Sequence, residues 1–157
     1  MIPYLVYSLT DLKIPTPLII NEKYLKEYFK HFDFILKQKK DISVLLALSG
    51  GSDSMLLLYL LLRYFKGNKG TIKIAHINHN LRNDSFKDEA FVTKVGLELG
   101  VNTYIRQLNP KLRLNNESIE SWARKERYKL LSEILVESNS NVLLTGHHKN
   151  DQAETIL

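Results

Sequence analysis

The chain has 157 residues, 44% of them apolar and 25% charged, with a net charge of +5 and no cysteine. That length suffices for one domain with its own core, and the composition is that of an ordinary globular protein. These residues exclude a disulfide framework, a cysteine-based zinc or iron–sulfur site, and an apolar run long enough to span a bilayer.

Residues 1–20, with Pro3, Pro15 and Pro17 and without the basic start of a signal peptide, read as an extended lead-in. Asn21 is placed to cap a helix that carries Leu25, Tyr28, Phe29, Phe32 and Ile35 or Leu36 at helical spacing. The chain then alternates. Apolar runs at 43–48, 72–77, 102–108 and 142–145 predict strands, and helical patterns fall at 54–65, 85–99 and 117–137, with Gly100 as a stop after the second. A last helix is expected from Asp151. Strand–helix alternation predicts an α/β domain with a parallel sheet, and such sheets bind ligands beyond the carboxyl ends of their strands. The unusual residues lie there: SGGSDS at 49–54, HINHNLR at 76–82 and GHHKND at 146–151. The chain stops at Ile156 and Leu157, inside a helix barely begun, so a domain over 21–157 is expected to be incomplete at its C-terminus.

SGGSDS joins a strand to a helix. Glycine lets the backbone turn with positive φ and come close to a ligand, and a helix N-terminus offers unpaired N–H groups to an anion. Ser49, Gly50, Gly51, Ser52, Asp53 and Ser54 together therefore predict a phosphate cradle rather than a convenient turn. Asp53 repels phosphate unless a divalent cation lies between them, so Mg²⁺ is expected there. The loop has no lysine, which rules out the G-x-x-x-x-G-K-[ST] cradle of kinase-like and GTPase-like sites.

On the 117–137 helix, Ile119, Trp122, Ala123, Leu130, Leu131, Ile134 and Leu135 form one apolar stripe. Arg127 falls inside it, and a charge on a buried face needs a partner or a ligand; position alone fits a structural ion pair equally well. Arg124 falls at the stripe's margin. Asp151 and Glu154 are spaced i, i+3, so their carboxylates share one face, where the helix dipole alone also favours them. His76, His79, His147 and His148 lack a clear third ligand for a metal and read as polar residues at strand ends.

SGGSDS resembles the pyrophosphate loop of the N-type ATP pyrophosphatases, the PP-loop superfamily. HINHNLR, SWARKERY at 121–128 and TGHHKNDQAET at 145–155 are similar to the tRNA(Ile)-lysidine synthetase family within it, over most of the chain. The resemblance implies a Rossmann-like, three-layer domain of the adenine nucleotide alpha hydrolase-like type. It implies ATP and Mg²⁺ as cofactors, and tRNA(Ile) and free lysine as substrates. Catalytic roles then fall to Asp53, Arg127, Asp151 and Glu154, with residues 49–54 on the nucleotide. A different PP-loop enzyme adenylating a small molecule, and a non-catalytic ATP-binding module, stay open as alternatives. The expected location is the cytoplasm; abundant Lys, Asn, Ile and Leu hint at an A+T-rich genome and raise a plastid stroma as the alternative.

Overall fold

A computed structural model describes residues 22–36, 41–114 and 116–146. The lead-in, the expected cap at Asn21, the histidines at 147 and 148 and the helix expected from Asp151, with Glu154 on it, lie outside the described residues. In chain order the elements are α1 (Glu22–Leu36), β1 (Ser43–Ala47), α2 (Ser52–Phe65), β2 (Thr71–Asn78), α3 (Ser85–Leu99), β3 (Thr103–Gln107), a 3-10 turn (Pro110–Leu112), α4 (Ile119–Glu137) and β4 (Val142–Thr145).

The four strands form one parallel sheet in the order β3-β2-β1-β4. The central strand β1 pairs on both sides, Leu46 standing opposite Ile74 on β2 and Leu144 on β4. It is covered on both faces, which is why its sequence is a continuous apolar run instead of an alternation. Even-numbered Val44 and Leu46 join Ile74, Val142 and Leu144 in a core with α1, α2 and Val92 of α3. Odd-numbered Leu45, with Ala75 and Leu143, packs on Leu131, Ile134 and Leu135 of α4. The result is three layers.

Chain direction explains the layering. From β1 the sheet grows through β2 to β3, and right-handed crossovers put α2 and α3 on one face. The chain then returns past β1 to lay down β4, and the same handedness puts α4 on the other face. Strand order therefore reverses between β1 and β4, and a crevice opens beyond their carboxyl ends. The apolar layer is closed at its far end by Tyr64, whose ring meets Phe29, Phe32 and Phe65 edge-on at centroid distances of 5.5, 5.4 and 5.3 Å. The Tyr64 hydroxyl donates to Asp33 Oδ1 at 2.7 Å, and burial followed by that carboxylate pushes its pKa up.

Two helix starts differ from the sequence expectation. α2 begins at Ser52, two residues early, because Gly50 makes the turn at φ 88° and leaves Gly51 extended as the N-cap. α4 begins at Ile119, two residues late, because the Ser118 side chain caps it by accepting from the Ser121 N–H at 3.1 Å. Ile119 consequently stands in the first turn and is 43% exposed, so it leaves the apolar stripe in which its spacing had put it. The other six stripe positions are buried or half-buried.

Candidate functional site

The loop after β1 is held by its own hydroxyls. Ser54 is 2% exposed. Its Oγ donates to the Gly51 carbonyl at 3.0 Å and accepts the Ser49 N–H at 3.2 Å. Ser49 Oγ lies 3.0 Å from Ser54 Oγ and accepts the Gly51 N–H at 3.2 Å. The hydroxyls of Ser49 and Ser54 thus brace the backbone of the loop. Ser52 is exposed, and its Oγ is 3.5 Å from Asp53 Oδ1. Asp53, half-buried, occupies the first turn of α2.

A cavity of about 680 Å³ lies beyond the carboxyl ends of β1, β2 and β4, a volume in the range of small-molecule sites. Ser49, Gly50, Gly51 and Ser54 form one wall, and Gly146 closes on them from the end of β4. A Cβ at Gly146 would lie 3.1 Å from both the Cα and the N of Ser54, so this approach of strand end to helix start needs glycine. His76, Asn78, His79 and Arg82 line the side that β2 supplies, and Arg127 and Leu131 the side supplied by α4. Arg127 therefore reaches the same cavity as the glycine loop. Asp53 and Ser52 belong to that loop's helical turn but are not among the cavity-lining residues. Arg124 is half-buried and does not line the cavity either.

The two histidines of β2 differ. His76 is 4% exposed, and its Nδ1 lies 2.8 Å from the Leu48 carbonyl, which only accepts, so Nδ1 carries the proton. Among the described residues its Nε2 has no hydrogen-bond partner. His79 is half-buried. Burial lowers its pKa below the ordinary 6.5, and the nearby charges of Arg127 and His76 lower it further. At neutral pH the imidazole is uncharged, and the Arg127 guanidinium, which lies 5.3 Å from the centroid of the Tyr128 ring, is its cationic neighbour. Arg82 pairs with Asp88 at 2.7 Å and approaches Asp84 at 3.9 Å at the exposed mouth. Among the described residues no group of three His, Cys, Asp or Glu side chains is placed to hold a metal by itself. Asp53, in the first turn of α2, is the carboxylate of this loop that could hold a Mg²⁺ ion whose other ligands are phosphate oxygens and water.

Sequence reasoning missed one set of polar residues. Glu89 Oε2 accepts from Asn78 Nδ2 and from Gln107 Nε2, both at 2.9 Å. Hydrogen bonding from Asn78 is the main cause of a lowered Glu89 pKa; burial opposes it, while Gln107 and the His76 charge add to it. None of these spacings forms a local motif, so only the fold brings them together.

Among the described residues no helix is long and apolar enough to cross a membrane. A tRNA(Ile)-lysidine synthase of Wolbachia pipientis wMel is 44% identical over 116 residues, which are 73% of this chain and 26% of that protein. One of Clostridioides difficile strain 630 is 37% identical over 142 residues, 88% of this chain and 30% of that protein. The chain thus spans less than a third of the length of these relatives. Among solved structures, the U34-tRNA thiolase NcsA of Methanococcus maripaludis, described with its [4Fe-4S] cluster, superimposes with a TM-score of 0.66 at 24% identity, over 81% of this chain and 46% of that one. At that identity the likeness speaks for the fold alone. The family described as the PP-loop domain matches residues 21–157, the stretch that holds the lysine-free loop and the cavity beside it, and the chain belongs to that family.

Proposed function

We propose that this chain carries the ATP-binding and catalytic centre of a tRNA(Ile)-lysidine synthetase, an AMP-forming carbon–nitrogen ligase. The observation that supports this most is the convergence of the glycine loop and Arg127 on one cavity at the sheet's switch point, in a chain whose relatives carry that enzyme's name. In the first step the C2 oxygen of the wobble cytidine attacks the α-phosphorus of ATP, the α–β phosphoanhydride bond breaks, and pyrophosphate leaves. In the second, the ε-amino nitrogen of free lysine attacks C2, the C2–oxygen bond breaks, and AMP leaves.

The proposed roles divide between the loop, α4 and the residues beyond β4. The backbone of 49–54 holds the departing pyrophosphate, with Ser54 and Ser49 keeping the loop rigid. Arg127 faces the α-phosphate and offsets charge that grows there in the transition state. Asp53 would hold Mg²⁺, which would supply positive charge to offset that on the leaving pyrophosphate. Asp151 and Glu154 hold the lysine ammonium and accept its proton before attack. The cytoplasm is the assigned compartment, with a plastid stroma as the alternative.

The test is incorporation of labelled lysine into tRNA(Ile), measured on the chain alone and on the chain with any coding sequence that follows it. From the longer chain the reading expects incorporation that needs ATP and tRNA(Ile) and stops in Asp53→Ala, and from these 157 residues alone it expects little or none. Pyrophosphate release that is indifferent to tRNA would point to a small-molecule acceptor. Nucleotide binding without any pyrophosphate release would point to a sensor module.

A further inference from the structure

Asn78 sits at the carboxyl end of β2, 4% exposed, and its side-chain amide connects two structures. Its Nδ2 donates to Glu89 Oε2 on α3 at 2.9 Å, and its Oδ1 accepts the Asn80 N–H at 2.9 Å. Asn80 is left-handed at φ 53°, and its own Nδ2 donates to the Leu108 carbonyl beyond β3 at 2.9 Å. The Leu108 N–H returns a bond to the Asn78 carbonyl at 2.8 Å. The turn so fastened carries His79 and Arg82 to the cavity.

The carboxylate makes this arrangement directional. An asparagine amide has two faces of similar shape and opposite hydrogen-bonding character. An ionised carboxylate accepts only, so Nδ2 must face Glu89, and Oδ1 is left to fix the Asn80 N–H. Reversing the amide would put Oδ1 against the carboxylate and Nδ2 against an N–H donor, which breaks two bonds at once. Gln107 Nε2 on the same oxygen keeps Glu89 in place.

We propose that Glu89 is a positioning residue that, by orienting the Asn78 amide, holds the 78–82 turn in its left-handed form and so sets His79 and Arg82 against the nucleotide in the cavity. The proposal rests on the cavity being the ATP site, and its test separates the two. Asn78→Asp places a second carboxylate against Glu89; the pair must then share a proton or separate. The exchange Asn78→Asp with Glu89→Gln restores one donor and one acceptor in reverse order, leaving an oxygen at position 78 for the Asn80 N–H. Glu89→Gln alone is the mild variant.

Two quantities are read on each variant: the affinity for ATP by calorimetry, and the midpoint of the His79 ring titration by NMR. The groups that face His79 are Arg127 on α4 and His76 on β2, and those facing Glu89 are His76, Asn78 and Gln107. In Asn78→Asp at pH 8 the ATP affinity should fall about tenfold, the scale of a misdirected buried hydrogen bond. The His79 midpoint should move toward 6.5. As the pH is lowered and the paired carboxyls take up a proton, the loss should shrink, and the exchange variant should regain both quantities. Unchanged values in Asn78→Asp, or a loss that the exchange variant does not regain while it stays folded, would overturn the proposal. If wild type binds no ATP but the His79 midpoint moves and returns as stated, the positioning stands and the nucleotide reading falls.

Discussion

The two walls of the cavity are built in opposite ways. The β1 wall, residues 49–54, is held by hydrogen bonds between residues at most five apart, all within one strand–helix turn. The β2 wall, residues 76–82, depends on Glu89 and Gln107, which lie 11 residues from Asn78 and 18 from Glu89 respectively, and on Leu108, 28 residues from Asn80. The first wall needs only its own sequence and Gly146 opposite. The second is held only with α3 and β3 in place. A cradle for a repetitive anion suits the local construction, while side chains that meet one particular substrate suit a wall that several elements adjust together.

Breaking the chemistry on either side should have the largest effect. Asp53→Ala on the loop and Arg127→Ala opposite it should each slow pyrophosphate release about a hundredfold or more, the usual cost of losing one charge-stabilising contact in a transition state. Quench-flow measurement with labelled ATP reads it. Equal loss from both sides supports a shared site; an effect confined to Asp53 would leave Arg127 structural.

The next effect is geometric. Gly146→Val drives a side chain into the Ser54 backbone, which lies 3.1 Å from even a Cβ. The start of α2 must move, and stability should fall by about 1–3 kcal/mol, as for other overpacked sites. Urea unfolding measures it, and ATP affinity should fall with it because the loop moves too. Ser54→Ala is milder: it removes the hydroxyl that braces Ser49 and Gly51 and should cost about 1 kcal/mol in the same experiment.

The smallest effect is a pH dependence on the β2 side. Folding lowers the pKa of both His79 and Glu89, so the unfolded chain binds protons more readily than the folded one, and stability rises with pH. The His79 part is present above 6.5 and is lost as pH falls below that toward its folded value; the Glu89 part is lost below 4.5 in the same way. Thermal unfolding from pH 8 down to about 2 should show both. His79→Asn should flatten the upper part alone.

The contrast between the walls also explains what the sequence made legible. Strand–helix alternation, the four strands and the placing of unusual residues at strand ends follow from periodicities of a few residues, and the parallel three-layer fold agrees with them. The expected SGGSDS turn is where it should be, yet α2 starts at Ser52 because the left-handed turn falls on Gly50, a choice between two adjacent glycines that spacing does not make. Ile119 is exposed because the Ser118 cap cuts the helix off just before it, although its spacing fits the buried stripe. Arg127 was legible as a charge on an apolar face; that His79 lies beside it and loses its charge was not, since no short-range pattern joins β2 to α4. The same holds for Glu89, an unremarkable acid in the first turns of α3 until the sheet brings Asn78 and Gln107 to it.

If both walls serve one ligand, backbone and histidine-ring NMR during an ATP titration should show it. Signals of Gly50, Gly51 and Ser54 on one wall, of His79 on the other and of Arg127 on α4 should shift together and saturate at one common ATP concentration. Shifts confined to the loop, with His79 and Arg127 unmoved at saturation, would contradict it.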